Sequence, residues 1–91
     1  MLEKGFETFL YADPQIESDK AVTSRMTRAR KAEEILGASL DVIVSSDNAM
    51  HDAMIRLKDN GDTRGNIQNA VRKYYIYKNG KEFPQLRYYR R

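Results

Sequence analysis

Between Ser18 and Gly37 the chain reads SDKAVTSRMTRARKAEEILG, a stretch with a start, a stop and two chemically different sides. Ser18 is placed to cap a helix, since its hydroxyl can accept from an amide of the first turn that has no partner within the helix. Asp19 then puts negative charge at the positive end of the helix dipole. Gly37 supplies the left-handed residue with which many helices close. At about 100° per residue, Val22, Met26, Ala29 and Leu36 share one face and Ala32 flanks it, whereas Lys20, Ser24, Thr27, Arg28 and Lys31 gather opposite. From Lys20 to Lys31 there are five bases and no acid. Such a helix has one side for a core and one side for an anionic partner.

The flanking segments follow the same period. Leu2 to Ala12 predicts a first helix with Leu2, Phe6, Phe9 and Leu10 on one side, weakened at Gly5 by about 1 kcal/mol relative to alanine. Asp13-Pro14 ends it, because the residue before proline is pushed out of the helical region. The run LDVIV (Leu40–Val44) has the β-branched composition of a strand. No partner strand is evident, and a lone strand would leave its backbone unpaired. The segment therefore reads as a short helical or irregular plug into the core. Ser45-Ser46 caps a helix from Asp47 to about Asn60, with Met50, Ala53, Met54 and Leu57 as its apolar stripe. Asn60-Gly61-Asp62 is a turn signal. Asp62 or Thr63 opens a last helix to about Asn79, closed by Gly80, with Ile67, Val71 and Tyr74 inward.

These elements predict an all-α, compact bundle of four or five helices over residues 1–83. Its expected core includes Phe6, Phe9, Val22, Met26, Leu36, Met54, Leu57, Ile67, Val71 and Tyr74. Residues 84–91 read as a basic aromatic tail, dispensable for folding and available to a polyanion. At 91 residues the chain can bury a core but not a deep enclosed pocket. The absence of cysteine removes disulfides, thiolate chemistry and the common zinc motifs, and suits a reducing, cytoplasmic setting. No apolar run reaches membrane-spanning length, and the acidic start is not that of a signal peptide.

Charge is segregated along the chain. Residues 1–19 carry −4, residues 20–31 carry +5, residues 32–63 carry −5 and residues 64–91 carry +7. In a folded chain the two basic blocks either form one surface, the electrostatic footprint of a polyanion binder, or are neutralised by the acidic ones. On the last helix Gln68, Asn69, Arg72 and Lys73 form an outer face, with Arg64 and Asn66 near its start. Arginine pairs with guanine and asparagine with adenine in the major groove; the same residue types also make an ordinary solvated face. Tyr74-Tyr75 and Tyr88-Tyr89 suit either stacking on unpaired bases or burial of the ring with the hydroxyl left in water. His51, beside Asp52 and one turn after Asp47, reads as a surface residue and not a metal ligand, for a metal needs three or four converging groups. No carboxylate pair, phosphate loop or nucleophile motif is present, so neither an enzyme nor a cofactor site is expected.

In order, FETFLYA, SDKAVTSRMTRARKAEEILG, LDVIV and GNIQNAVRKYYIYKNG resemble the SAM-like core-binding domain of tyrosine recombinases and phage integrases. Ser18-Asp19-Lys20-Ala21-Val22 and Ala70-Val71-Arg72-Lys73-Tyr74-Tyr75 fall where that family has its "S-x-K-T" and "A-L-R-x-Y-Y-x-F" patterns. The resemblance, over Phe6 to Gly80, implies a four- or five-helix domain that grips duplex DNA. The family's catalytic residues have no counterpart here, so the expectation is a non-enzymatic DNA-binding module, possible on a mobile element. The alternative is a protein-interaction module, a homodimer or a binder of an acidic partner. For DNA, Lys20, Arg28, Lys31 and Lys73 are expected on phosphates and Asn69 and Arg72 near base edges, with Ser24, Arg64 and, in the tail, Arg90 and Arg91 as further contacts.

Overall fold

The computed structural model describes residues 1–89; Arg90 and Arg91 lie outside the described residues. Three of the helices start at a serine whose hydroxyl caps the first turn. Ser18 Oγ accepts from the Ala21 N–H at 3.1 Å, Ser39 Oγ from Asp41 at 3.1 Å and Ser46 Oγ from Ala49 at 3.3 Å. The elements are α1 (Glu3–Tyr11), α2 (Asp19–Leu36), α3 (Leu40–Val44), α4 (Asp47–Asp59), α5 (Asn66–Asn79) and a 3-10 turn (Leu86–Tyr88), with no strand among the described residues. Gly37 ends α2 at φ 65°, its N–H donating to the Glu33 carbonyl at 2.8 Å.

The β-branched LDVIV run is helical because its surroundings outweigh its propensity. Leu40, Ile43 and Val44 are buried, Ser39 caps the turn, and the Leu40 N–H donates to the Glu33 carboxylate at 2.9 Å. The start of α5 differs from expectation. Regular helix begins at Asn66, not at Asp62 or Thr63, with Gly65 at the N-cap in the left-handed region (φ 77°). Asp62 nevertheless caps the helix from outside it. Its carboxylate accepts from the Ile67 N–H at 3.1 Å and the Gln68 N–H at 2.7 Å, and Gln68 Nε2 donates back to its carbonyl at 3.0 Å.

Asp62 is the buried charged residue of the described chain, 8% exposed. Asp62→Ala would remove a cap and strand two donors, so it should destabilise by about 2–3 kcal/mol. Asp62→Asn, which keeps one acceptor, should be milder. Urea denaturation with an unchanged m-value would show this; a neutral Asp62→Ala would mean that water replaces the carboxylate.

The two longest helices, α2 and α5, make the most extensive contact in the fold. α1 lies against both, and α3 and α4 close the remaining side. All the expected core residues join one cluster, Phe9 and Ile67 as half-buried neighbours of the other eight. Phe6 meets Tyr74 edge to face at 4.9 Å, the geometry aromatic quadrupoles prefer. Gly5, a weak point for α1 by propensity, is explained by packing: a Cβ there would lie 2.1 Å from the Tyr77 hydroxyl. Its lack of a side chain lets α1 approach α5.

Tyr74 and Tyr75 do not leave their hydroxyls in water. Both rings are buried. Tyr74 Oη donates to Asp41 Oδ1 at 2.5 Å and accepts from the Leu2 N–H at 2.8 Å, while Tyr75 Oη donates to Asp47 Oδ1 at 2.7 Å. Burial and then the Asp47 hydrogen bond push the Tyr75 hydroxyl up to about 12. Neither ring is available to stack on a base.

Phe83 is buried at 4% exposure, and the chain beyond Pro84 folds back onto the body. Leu86 packs against the core. The Tyr89 ring lies 5.2 Å from Phe83 and stacks on His51 at 4.8 Å, and its hydroxyl donates to Asn48 Oδ1 at 2.6 Å. His51 is accordingly half-buried under Tyr89 and not a surface residue. Its Nδ1 is buried without a hydrogen-bond partner among the described residues.

Candidate nucleic-acid interface

Burial of Val22, Met26, Ala29, Ala32 and Leu36 fixes how α2 is rotated. It leaves Lys20 and Lys31 exposed, with Ser24 and Arg28 half-buried beside them. The five bases of this block have different surroundings. Arg30 is held by Glu3, with Nε 2.7 Å and Nη2 2.6 Å from its Oε1, a pair tying α2 to α1. Arg25 lies close enough to Asp13 to help hold that carboxyl below its ordinary range. Lys31 reaches Glu34 at 3.7 Å, with both side chains more than half exposed, an arrangement worth little in water. Lys20 and Arg28 form no ion pair among the described residues. By ion pairing alone, Lys20, Arg25, Arg28 and Lys31 remain available to an external anion, Arg25 in the neighbourhood of Asp13.

The outer face of α5 contributes less than its composition promises. Asn69 is exposed. Arg72 is half-buried, and its Nη1 donates to the carbonyls of Phe83 (2.8 Å) and Pro84 (3.2 Å) while the guanidinium lies 5.7 Å from the Phe83 ring centroid. Burial lowers its pKa, opposed by the Glu82 charge. This side chain clamps the returning tail, a contact eleven and twelve residues away that helical periodicity does not reveal. Lys73 Nζ pairs with Asp13 Oδ2 at 2.5 Å, both side chains largely covered. The lysine hydrogen bond, then that from the Gln15 N–H, holds the Asp13 carboxyl below its ordinary range. Lys73 thus fastens α5 to the link between α1 and α2.

Arg64 is exposed in the turn between α4 and α5. Arg90 and Arg91 lie outside the described residues. Lys58, which the sequence did not single out, and Arg87, expected in a tail available to a polyanion, line a groove together with Arg64. They come from three separate segments, so only tertiary structure unites them. Among the described residues no group of three or more His, Cys, Asp or Glu side chains could hold a metal ion, and no helix is long and apolar enough to cross a membrane.

What the fold defines is a small domain with five α-helices among the described residues and a folded-back segment over residues 85–89. No family model, curated protein or solved structure matches the chain.

Proposed function

We propose that the chain is a non-enzymatic, DNA-binding helical module whose outer α2 face lies along the phosphate backbone of a duplex. The observation that carries this reading is the pairing pattern on α2. Acids of the fold engage Arg30 and approach Arg25, yet Lys20 and Arg28 stay unpaired among the described residues and Lys31 is held only by an exposed neighbour. Cations spaced along one rigid helix suit a regular array of phosphates, which position a protein without reading sequence. Ser24 on the same face adds a hydroxyl donor, and exposed Asn69 is the α5 side chain left to approach a base edge. Arg72 and Lys73, occupied by the tail and by Asp13, serve the fold. The resemblance to integrase core-binding domains points the same way, although its Arg-Lys-Tyr-Tyr segment is accounted for here by packing.

The test is fluorescence anisotropy on random and selected duplexes across a salt series. Arg28→Ala should weaken all sequences about equally and lower the salt slope by about 1. Arg72→Ala should lower stability without relaxing preference at any single base pair. Absence of wild-type binding at low salt would transfer the basic face to an acidic protein partner or a second copy of the chain.

A further inference from the structure

The turn between α4 and α5 and the returning tail face each other across an open groove. Lys58, at the end of α4, Arg64, in the turn, and Arg87, carried by the 3-10 turn, all line this groove. Gln68 and Gln85 add amide donors to the lining, and no acid is among the lining residues. Asp62, on the same turn, faces inward, its carboxylate occupied by the Ile67 and Gln68 amides. The start of α5 is therefore already capped, and any anion affinity of the groove comes from its side chains. Lys58, Arg64 and Arg87 are exposed and form no ion pair among the described residues.

Three like charges brought together from separate segments, in a concavity without a counter-charge, repel one another until an anion enters. Two of them are arginines, whose planar forks match phosphate oxygens bidentately. Docking of the tail completes the site, because Arg87 reaches it only through the Phe83, Leu86 and Tyr89 contacts. We infer that this groove is a phosphate-binding site, a second anchor beside α2; the inference rests on the DNA reading only for the source of the phosphate.

Two titrations test it on the full chain, comparing wild type with Lys58→Gln/Arg64→Gln/Arg87→Gln, all substitutions at exposed positions. In the first, sodium tripolyphosphate is added at constant ionic strength while amide chemical shifts are followed by NMR. The expected result is saturable movement of the amides of residues 63–65 and 85–87 in wild type, lost in the triple variant. Unmoved groove amides, or equal movement in the variant, would overturn the site whatever the duplex does. In the second, a fluorescein-labelled random duplex is titrated across a salt series. Backbone phosphate as the occupant lowers the variant's salt slope by about 0.9 for each lost contact. Tripolyphosphate binding at the groove with no duplex binding by wild type would keep the site, assign it to free phosphate compounds, and overturn the nucleic-acid reading.

Discussion

Phe83→Ala is expected to destabilise the protein by about 3–5 kcal/mol, the range for emptying a buried aromatic site. Phe83 is 4% exposed and touches Tyr75 edge to face at 5.2 Å, Tyr89 at 5.2 Å and the Arg72 guanidinium at 5.7 Å. Its loss removes the surface on which the tail docks and the group beneath which Arg72 is clamped. For a domain of this size each kcal/mol moves the midpoint by about 4–8 °C, so the melting temperature should fall by well over ten degrees. Deleting residues 85–91 should have a smaller effect, about 2 kcal/mol, since Leu86 and Tyr89 are half-buried. Thermal melts of both proteins decide the matter. If both melt as wild type, the tail is the dispensable appendage that Pro84 suggests from sequence.

The contrast shows what local pattern encodes. Ser18, Ser46 and Gly37 act through neighbours three or four residues away, and helical periodicity is equally local, so helix positions and the inward faces of α2, α4 and α5 were legible. The LDVIV plug was legible by elimination, for want of a partner strand. The tail was not. Pro84 ends a helix in any context, but whether the chain then leaves or returns depends on Arg72 meeting the Phe83 carbonyl and Tyr89 meeting His51 and Asn48. Those contacts join distant segments and leave no periodic trace. Asp62 lies between these cases: it was recognised as a helix opener, yet its action across five and six residues belongs to the turn and not to a helix register.

The candidate interface divides similarly. The exposed sides of Lys20 and Lys31 follow from the apolar stripe of α2, which periodicity shows. Whether a cation is free depends on acids brought by other elements, which it does not show. Arg72 and Lys73 share with Arg28 an outward place on the helical wheel, and the fold engages both through residues outside α5. Conversely, Arg87 looked like part of a loose tail, and the fold holds it in one groove with Arg64. A basic block in sequence therefore overstates the free cations of one face and conceals those of another.

Tyr74→Phe is expected to cost about 2–3 kcal/mol at neutral pH, much for the loss of a single oxygen. That oxygen donates to Asp41 and accepts from the Leu2 N–H, and the tyrosine is 0% exposed. Its removal takes a charge-assisted hydrogen bond from Asp41 and the acceptor from a backbone donor. The same substitution should change the response to acid. Burial raises the Asp41 carboxyl, but the Tyr74 hydroxyl, the Met1 ammonium at 3.1 Å and Ser39 outweigh it and hold the folded value at about 2, against an ordinary 3.8. A carboxyl depressed by folding contributes stability that is full above its unfolded value and disappears as pH falls through its folded value. Wild type should thus lose about 1–2 kcal/mol through Asp41 between about pH 5 and pH 2, discounted for the partial exposure of the group. Without the Tyr74 donor the folded carboxyl moves back towards its ordinary range, and the variant has less of this contribution to lose. The gap between wild type and Tyr74→Phe should therefore narrow on acidification, while a purely steric defect would keep it constant. Urea denaturation of both proteins at several pH values between about 2 and 6, about two units either side of the ordinary carboxyl value, measures that gap. A gap independent of pH would show that Asp41 draws its low value from the Met1 ammonium, Ser39 and Lys78 at 3.5 Å, with Tyr74 acting only through the Leu2 amide.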